Sequence, residues 1–134
     1  MNLLPSPELI LFGPYDRGVP NQERIVLRAA LPNVDLTYFG LVLAMKLASG
    51  AAVPIIDNFF WFGNGLLNEG DWICVYTSPG TAHNVPYREN PANKVYNLYW
   101  GRRKVAFLSP DMVPLLFKFD SVVVGASGTP QLNA

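Results

Sequence analysis

His83 and Cys74 are the sole histidine and the sole cysteine of the 134 residues. A thiol beside an imidazole makes a nucleophile and its base, the ring taking the proton as sulfur attacks an electrophilic carbon. Here Cys74 stands mid-strand between Trp72 and Tyr76, whereas His83 follows the turn-forming Ser78-Pro79-Gly80. The pattern therefore reads as a small, buried, inert thiol and a loop histidine. Neither contributes to a spacing that would build a tetrahedral metal site, and no metal or cofactor is expected. Asp57 and Asp71 each adjoin an aromatic block. Two carboxyls placed across a substrate would give acid–base or glycosidic chemistry. Side chains that hydrogen-bond nearby backbone at turns and strand ends explain Asp57 and Asp71 more simply, and Asp35 and Asp111 as well. Gly63-Asn64-Gly65 and Ser78-Pro79-Gly80 match no phosphate-binding loop and read as turns.

Binding chemistry is carried by the aromatic side chains. Trp61, Trp72, Tyr76, Tyr96, Tyr99 and Trp100 offer large, rigid area of the kind that dominates interfaces and can stack on bases. Tyr96 and Trp100 share one face of a strand that feeds Arg102-Arg103-Lys104, the only dense basic run. Tyr96, Trp100, Arg102 and Arg103 form the candidate interface, with Tyr87 and Arg88 from the long loop before the strand and Trp61 from the first aromatic block. The bland reading keeps most tryptophans in the core and the basic run as a solvated turn.

These residues need strands to position them. Ile25, Leu27 and Ala29 alternate with Arg24, Val26 and Arg28, and Asp71, Ile73, Val75 and Thr77 alternate with Trp72, Cys74 and Tyr76. A period of two is the signature of a strand. Further strands, or an edge segment in the first case, are expected over 8–12, 53–62, 95–100 and 112–119, with shorter pieces at 105–108 and 122–124. On the 112–119 strand, Val113, Leu115, Phe117 and Phe119 share a side and Lys118 faces water. The consecutive Phe59-Phe60-Trp61-Phe62 would cover both faces of its strand, as in the centre of a sandwich or beneath a partner. Residues 34–47 read as a strand with an irregularity at Gly40 that continues into a second strand; a helix over 41–48 is the alternative. Residues 78–94 form the longest loop. Residues 1–7 are an extended lead-in, and the tail from 125 is frayed. The result is one domain over 1–134, all-β, a sandwich of seven or eight short strands or else a small β-barrel.

Composition narrows the partners. Ten basic and ten acidic residues give no net charge, so no broad basic field exists to grip a phosphate backbone. Charged residues are only 15% and apolar residues 50%, which suits a surface covered by a partner or by a second copy. The stretch 39–56 is broken by Lys46, Gly50 and Pro54 and makes a poor membrane span. With one cysteine and no leader pattern, a cytoplasmic location is expected. A non-catalytic protein-binding or self-associating module is the leading reading. A nucleic-acid-binding β domain, and a small enzyme or ligand carrier with an apolar cavity, are the rivals.

In chain order, Val34-Asp35-Leu36, Phe39-Gly40, Glu69-Gly70-Asp71, Tyr76-Thr77-Ser78-Pro79-Gly80, Leu98-Tyr99-Trp100-Gly101 and Pro110-Asp111-Met112-Val113-Pro114-Leu115 resemble the lamin tail domain, an immunoglobulin-fold sandwich. The likeness spans about residues 23–124. Two departures stand out: Tyr38-Phe39-Gly40 replaces the usual tryptophan, and Pro114 interrupts the last strand and assigns it to an edge. The resemblance implies a sandwich that contacts protein or nucleic acid, and it brings no catalytic residue.

Overall fold

Ile25, Leu27 and Ala29 are sealed from solvent, while Arg24, Val26 and Arg28 stay half exposed. Ile73 and Val75 are likewise sealed against the half-exposed Trp72, Cys74 and Tyr76. In the computed structural model, which describes residues 7–128 without the side chains of Ile56 and Asp57, these alternations become strands of an all-β domain. The strands are β1 (Leu9–Tyr15), β2 (Arg24–Ala29), β3 (Val34–Asp35), β4 (Phe39–Lys46), β5 (Ala52–Trp61), β6 (Leu66–Leu67), β7 (Trp72–Tyr76), β8 (His83–Pro86), β9 (Lys94–Tyr99) and β10 (Met112–Lys118). Leu36–Tyr38, a single 3-10 turn capped by the Asp35 carboxylate, is the only helical element among the described residues.

One sheet has the order β1-β2-β7-β9-β8, a second has β10-β4-β5, and β3 pairs with β6. Among the described strands only β7 and β9 pair in parallel, with Trp72 opposite Val95 and Tyr76 opposite Tyr99. Leu9, Ile25, Leu27, Ile73 and Val75 from the larger sheet join Phe39, Leu41 and Leu43 from the smaller in one apolar cluster, completed by Leu36, Leu67 and Phe107. This is a β-sandwich. Among the described residues the two large sheets share no strand pairing, so no ladder closes them into a barrel. Lys118 Nζ pairs with Glu8 Oε1 and ties the end of β10 to the start of β1.

Several elements depart from the sequence expectation. The 78–94 loop contains β8, which pairs antiparallel with β9 as an edge strand. The first strand runs on through Gly13-Pro14 to Tyr15, with its register shifting between Leu11 and Gly13. Residues 34–47 form β3, the 3-10 turn and β4, with no helix over 41–48. Gly40 sits in regular pairing with Trp61 and Phe117, and the irregularity falls between Val42 and Ala44. Residues 105–108 form no strand, because the Ala106 and Phe107 amides bond a carboxylate instead. Val122–Val124 are exposed and pair with no described strand. The aromatic strand β5 is an edge strand rather than a central one. β10 lies at an edge, where Pro114 removes no ladder donor that a central strand would need. Its faces are the reverse of the simple reading: Met112, Pro114 and Leu116 turn to the core, leaving Val113, Leu115 and Phe117 outside. The lead-in over residues 1–6 and the tail over 129–134 lie outside the described residues; 125–128 are exposed and unpaired.

Candidate functional site

Strand phase explains the two buried carboxylates. Glu23 precedes β2 in phase with Ile25 and Leu27, so its side chain enters the interior and is 1% exposed. A buried carboxylate survives only when its oxygens are fully bonded. Gly18 N–H donates to Oε2 at 2.7 Å and Phe107 N–H at 3.0 Å; the Thr77 hydroxyl donates to Oε1 at 2.8 Å and Ala106 N–H at 2.6 Å. Burial pushes the Glu23 carboxyl up, but the donors from Ala106, Gly18, Thr77 and Phe107 together outweigh it and hold the group below its ordinary value. Glu23 thus fastens three loops to β2. No motif marked it; its inward phase was the available signal. Asp71 just before β7 has the same inward phase, with Ile73 and Val75. It accepts from Asn68 N–H at 2.8 Å, Lys94 N–H at 2.9 Å and the Asn93 amide at 3.0 Å, closing the turns before β7 and β9. The Asp57 side chain lies outside the described atoms. Asp35 caps the 3-10 turn through Thr37 N–H, and Asp111 is exposed at the start of β10.

Cys74 and His83 lie on the outer face of the larger sheet, in one cross-strand row separated by Asn97. His83 Nδ1 lies 3.0 Å from the Thr81 carbonyl, so the ring donates there and leaves Nε2 as an acceptor toward the Asn97 amide. Burial pushes the Cys74 thiol up despite the nearby Arg24. The thiol therefore stays protonated at neutral pH, which is poor preparation for a nucleophile. Among the described residues no group of three His, Cys, Asp or Glu is placed to hold a metal ion.

The rest of that face is a ladder of rings and guanidinium groups. Arg24 lies 5.9 Å from the Tyr15 ring centre and 6.0 Å from that of Tyr76. Tyr76 stacks on Tyr99 at 5.2 Å, and His83 stacks on Tyr99 at 6.1 Å. A second group centres on Trp72, with Arg28 at 4.8 Å, Phe12 at 5.5 Å and Tyr87 at 5.7 Å. Such cross-strand pairs stabilise an exposed sheet face. They also occupy the ring faces on which a nucleobase would stack.

The outer face of β10-β4-β5 is different. Its cross-strand rows are Phe117, Gly40 and Trp61; Leu115, Val42 and Phe59; Val113, Ala44 and Pro54. All nine are apolar or glycine. Phe59 is 48% exposed, Trp61 43% and Phe117 39%. A Cβ on Gly40 would stand 2.7 Å from the Phe59 ring, so the bare glycine lets that ring lie down on the sheet. Phe119 meets Phe59 edge-on at 5.8 Å. Trp61 donates its indole N–H to the Thr37 carbonyl at 2.8 Å, which fixes its orientation. Val122 and Ser121 complete an open trough of about 430 Å³ along Phe59 and Trp61.

The structure does not gather the sequence-derived interface residues into one surface. Tyr96 and Trp100 turn inward and pack against the core, the latter 5.4 Å from Phe60. Burial pushes the Tyr96 phenol up accordingly. Arg102 lies over Trp100 at 5.8 Å and donates to Asn58 Oδ1. Arg103 lines a cleft beside β7. Tyr87 sits on Trp72 on the opposite face of the sheet, with the exposed Arg88 next to it in sequence. Trp61 alone lies on the apolar outer face. The alternation Tyr96-Leu98-Trp100 signalled an apolar face, but which sheet face was inside depended on the parallel pairing with β7. No family model, curated protein or solved structure matches this chain.

Proposed function

We propose that this chain is a non-catalytic, self-associating β-sandwich module that docks through the outer face of β10-β4-β5. The observation that carries the proposal is the apolar character of the nine paired positions of this face, where Phe59, Trp61 and Phe117 stay 39–48% exposed and, among the described residues, only the 119–122 segment packs at the edge. In a two-layer sandwich the outer positions are normally polar; a sheet apolar on both faces is built to be covered twice. Phe59, Trp61 and Phe117 are 39–48% exposed, so covering what remains of each gains about half of a full burial, roughly 0.7–1.5 kcal/mol. A second copy is the occupant we commit to. An uncharged face steers no particular partner by charge, and a twofold contact needs only that the patch complement itself.

Sedimentation equilibrium over a concentration series tests this. The expected result is a concentration-dependent dimer, with F59S/W61S remaining monomeric and folded by circular dichroism. A wild-type chain that is monomeric throughout overturns the proposal, as does an association that the double variant leaves unchanged. The ordered segments from Val34-Asp35-Leu36 to Leu98-Tyr99-Trp100-Gly101 support a lamin-tail-like kinship for the sandwich, and the unpaired Cys74 supports a cytoplasmic location. The nucleic-acid alternative is disfavoured by the occupied ring faces and by the Asp16 carboxylate that pairs with Arg24 at 2.6 Å. No helix among the described residues is long and apolar enough to cross a membrane.

A further inference from the structure

The turn after β9 presses the basic run against the end of β7. Arg102 N–H donates to the Thr77 carbonyl at 2.8 Å and Gly101 N–H to the Ser78 carbonyl at 3.2 Å. Gly101 makes the bend at a φ of 80°, which a residue with a Cβ adopts only under strain. Beside this turn opens a cleft of about 320 Å³, the lower end of the size range of small-ligand sites. Arg103, Lys104, Ser78 and Asn21 form its polar side; Pro79 and Leu108 belong to its apolar side.

The charge in this cleft is not neutralised locally. Both surface ion pairs of the described residues, Arg24 with Asp16 and Lys118 with Glu8, lie elsewhere, and among the described residues no carboxylate pairs with Arg103 or Lys104. Arg102 is committed to Asn58 and Trp100, and its buried Nε has no acceptor. Glu23 bonds Thr77 on the inner side of the cleft, but four donors occupy its two oxygens. Three cations therefore face one sequestered carboxylate. Leu108, 76% exposed, sits at the same cleft, where an apolar body would cover it.

We propose that this cleft binds a small organic anion, with a phosphate or carboxylate head on Arg103 and Lys104 and an apolar body against Pro79 and Leu108. The site is separate from the docking face and independent of it. Charge-assisted hydrogen bonds hold the head, and removal of Leu108 from water holds the body.

Amide chemical-shift titration of the full chain tests the site with four probes: phenyl phosphate, benzoate, inorganic phosphate and benzyl alcohol. Phenyl phosphate or benzoate should move the amides of Ser78 and of residues 101–105, and the tighter of the two identifies the head group. Benzyl alcohol and inorganic phosphate should each bind at least about tenfold more weakly, a difference of roughly 1.4 kcal/mol. Arg103 and Lys104 are exposed, so R103S/K104S should leave the rest of the spectrum in place and weaken the aromatic anion by at least about tenfold. The proposal is overturned if neither aromatic anion moves these amides. It is equally overturned if benzyl alcohol or inorganic phosphate binds as tightly, or if the double variant binds unchanged.

Discussion

Glu23 is the residue on which most loop structure converges. Replacement by Gln keeps one carbonyl oxygen but puts an amide donor where two donors already point. Leaving buried donors unsatisfied costs about 1–3 kcal/mol each, so Glu23→Gln should lower the unfolding free energy by at least about 2 kcal/mol in a urea titration. A loss below half that would show that the loops around Gly18 and Ala106 are held by other contacts. The folded carboxyl titrates below its ordinary value of 4.5, so its contribution is complete above that pH and declines as pH falls through the folded pKa. Urea midpoints should therefore fall on acidification below about 4.5 in the wild type, and fall less steeply in E23Q. Cys74 gives a second test at this scale. With its pKa raised by burial, the folded thiol should react with a disulfide reagent at neutral pH far more slowly than the same thiol in denaturant. Equal rates would mean that the outer face of β7 is open to solvent.

At the scale of elements, Gly40 links a strand to the docking face. A methyl group there would stand 2.7 Å from the Phe59 ring and 3.0 Å from the Phe60 carbonyl. The ring can swing away but the carbonyl belongs to the ladder, so Gly40→Ala should cost about 1–3 kcal/mol and lift Phe59 from the sheet. Thermal melts and the ring-proton shifts of Phe59 read the two effects separately; an unperturbed Phe59 would refute the packing account. The same element shows what was legible beforehand. β2 was readable because Ile25, Leu27 and Ala29 alternate with Arg24 and Arg28, and β7 because aliphatic Ile73 and Val75 alternate with the aromatic Trp72 and Tyr76. β10 and β5 were readable as strands, but their inward faces were not, since both of their faces are apolar and only pairing to β4 decides between them. β8 was hidden for the opposite reason. All four of its residues are exposed, so no apolar phase marks it, and Pro86 reads as a loop residue. Glu23 and Asp71 were visible as polar residues in an apolar phase, yet their donors come from segments distant in sequence. Tyr96 and Trp100 were seen as a pair, but their direction was fixed by a parallel strand that local sequence does not announce.

For the whole molecule, the absence of net charge separates the two proposed sites by their response to salt. The docking face contributes no charge across nine positions, so its association has no attraction for ions to screen. Raising salt from about 0.1 M to about 1 M shortens the screening length from about 10 Å to about 3 Å. Dimer affinity should stay level through that change. Warming from cold to room temperature should strengthen it, because apolar burial is weaker in the cold, and calorimetry should give a negative heat-capacity change. The cleft at Arg103 and Lys104 should behave in the opposite way and lose anion affinity as salt rises. Dimerisation that weakens steeply with salt would place the contact on charged groups, away from Phe59, Trp61 and Phe117. It would leave the doubly apolar sheet without the covering layer that its sequence calls for.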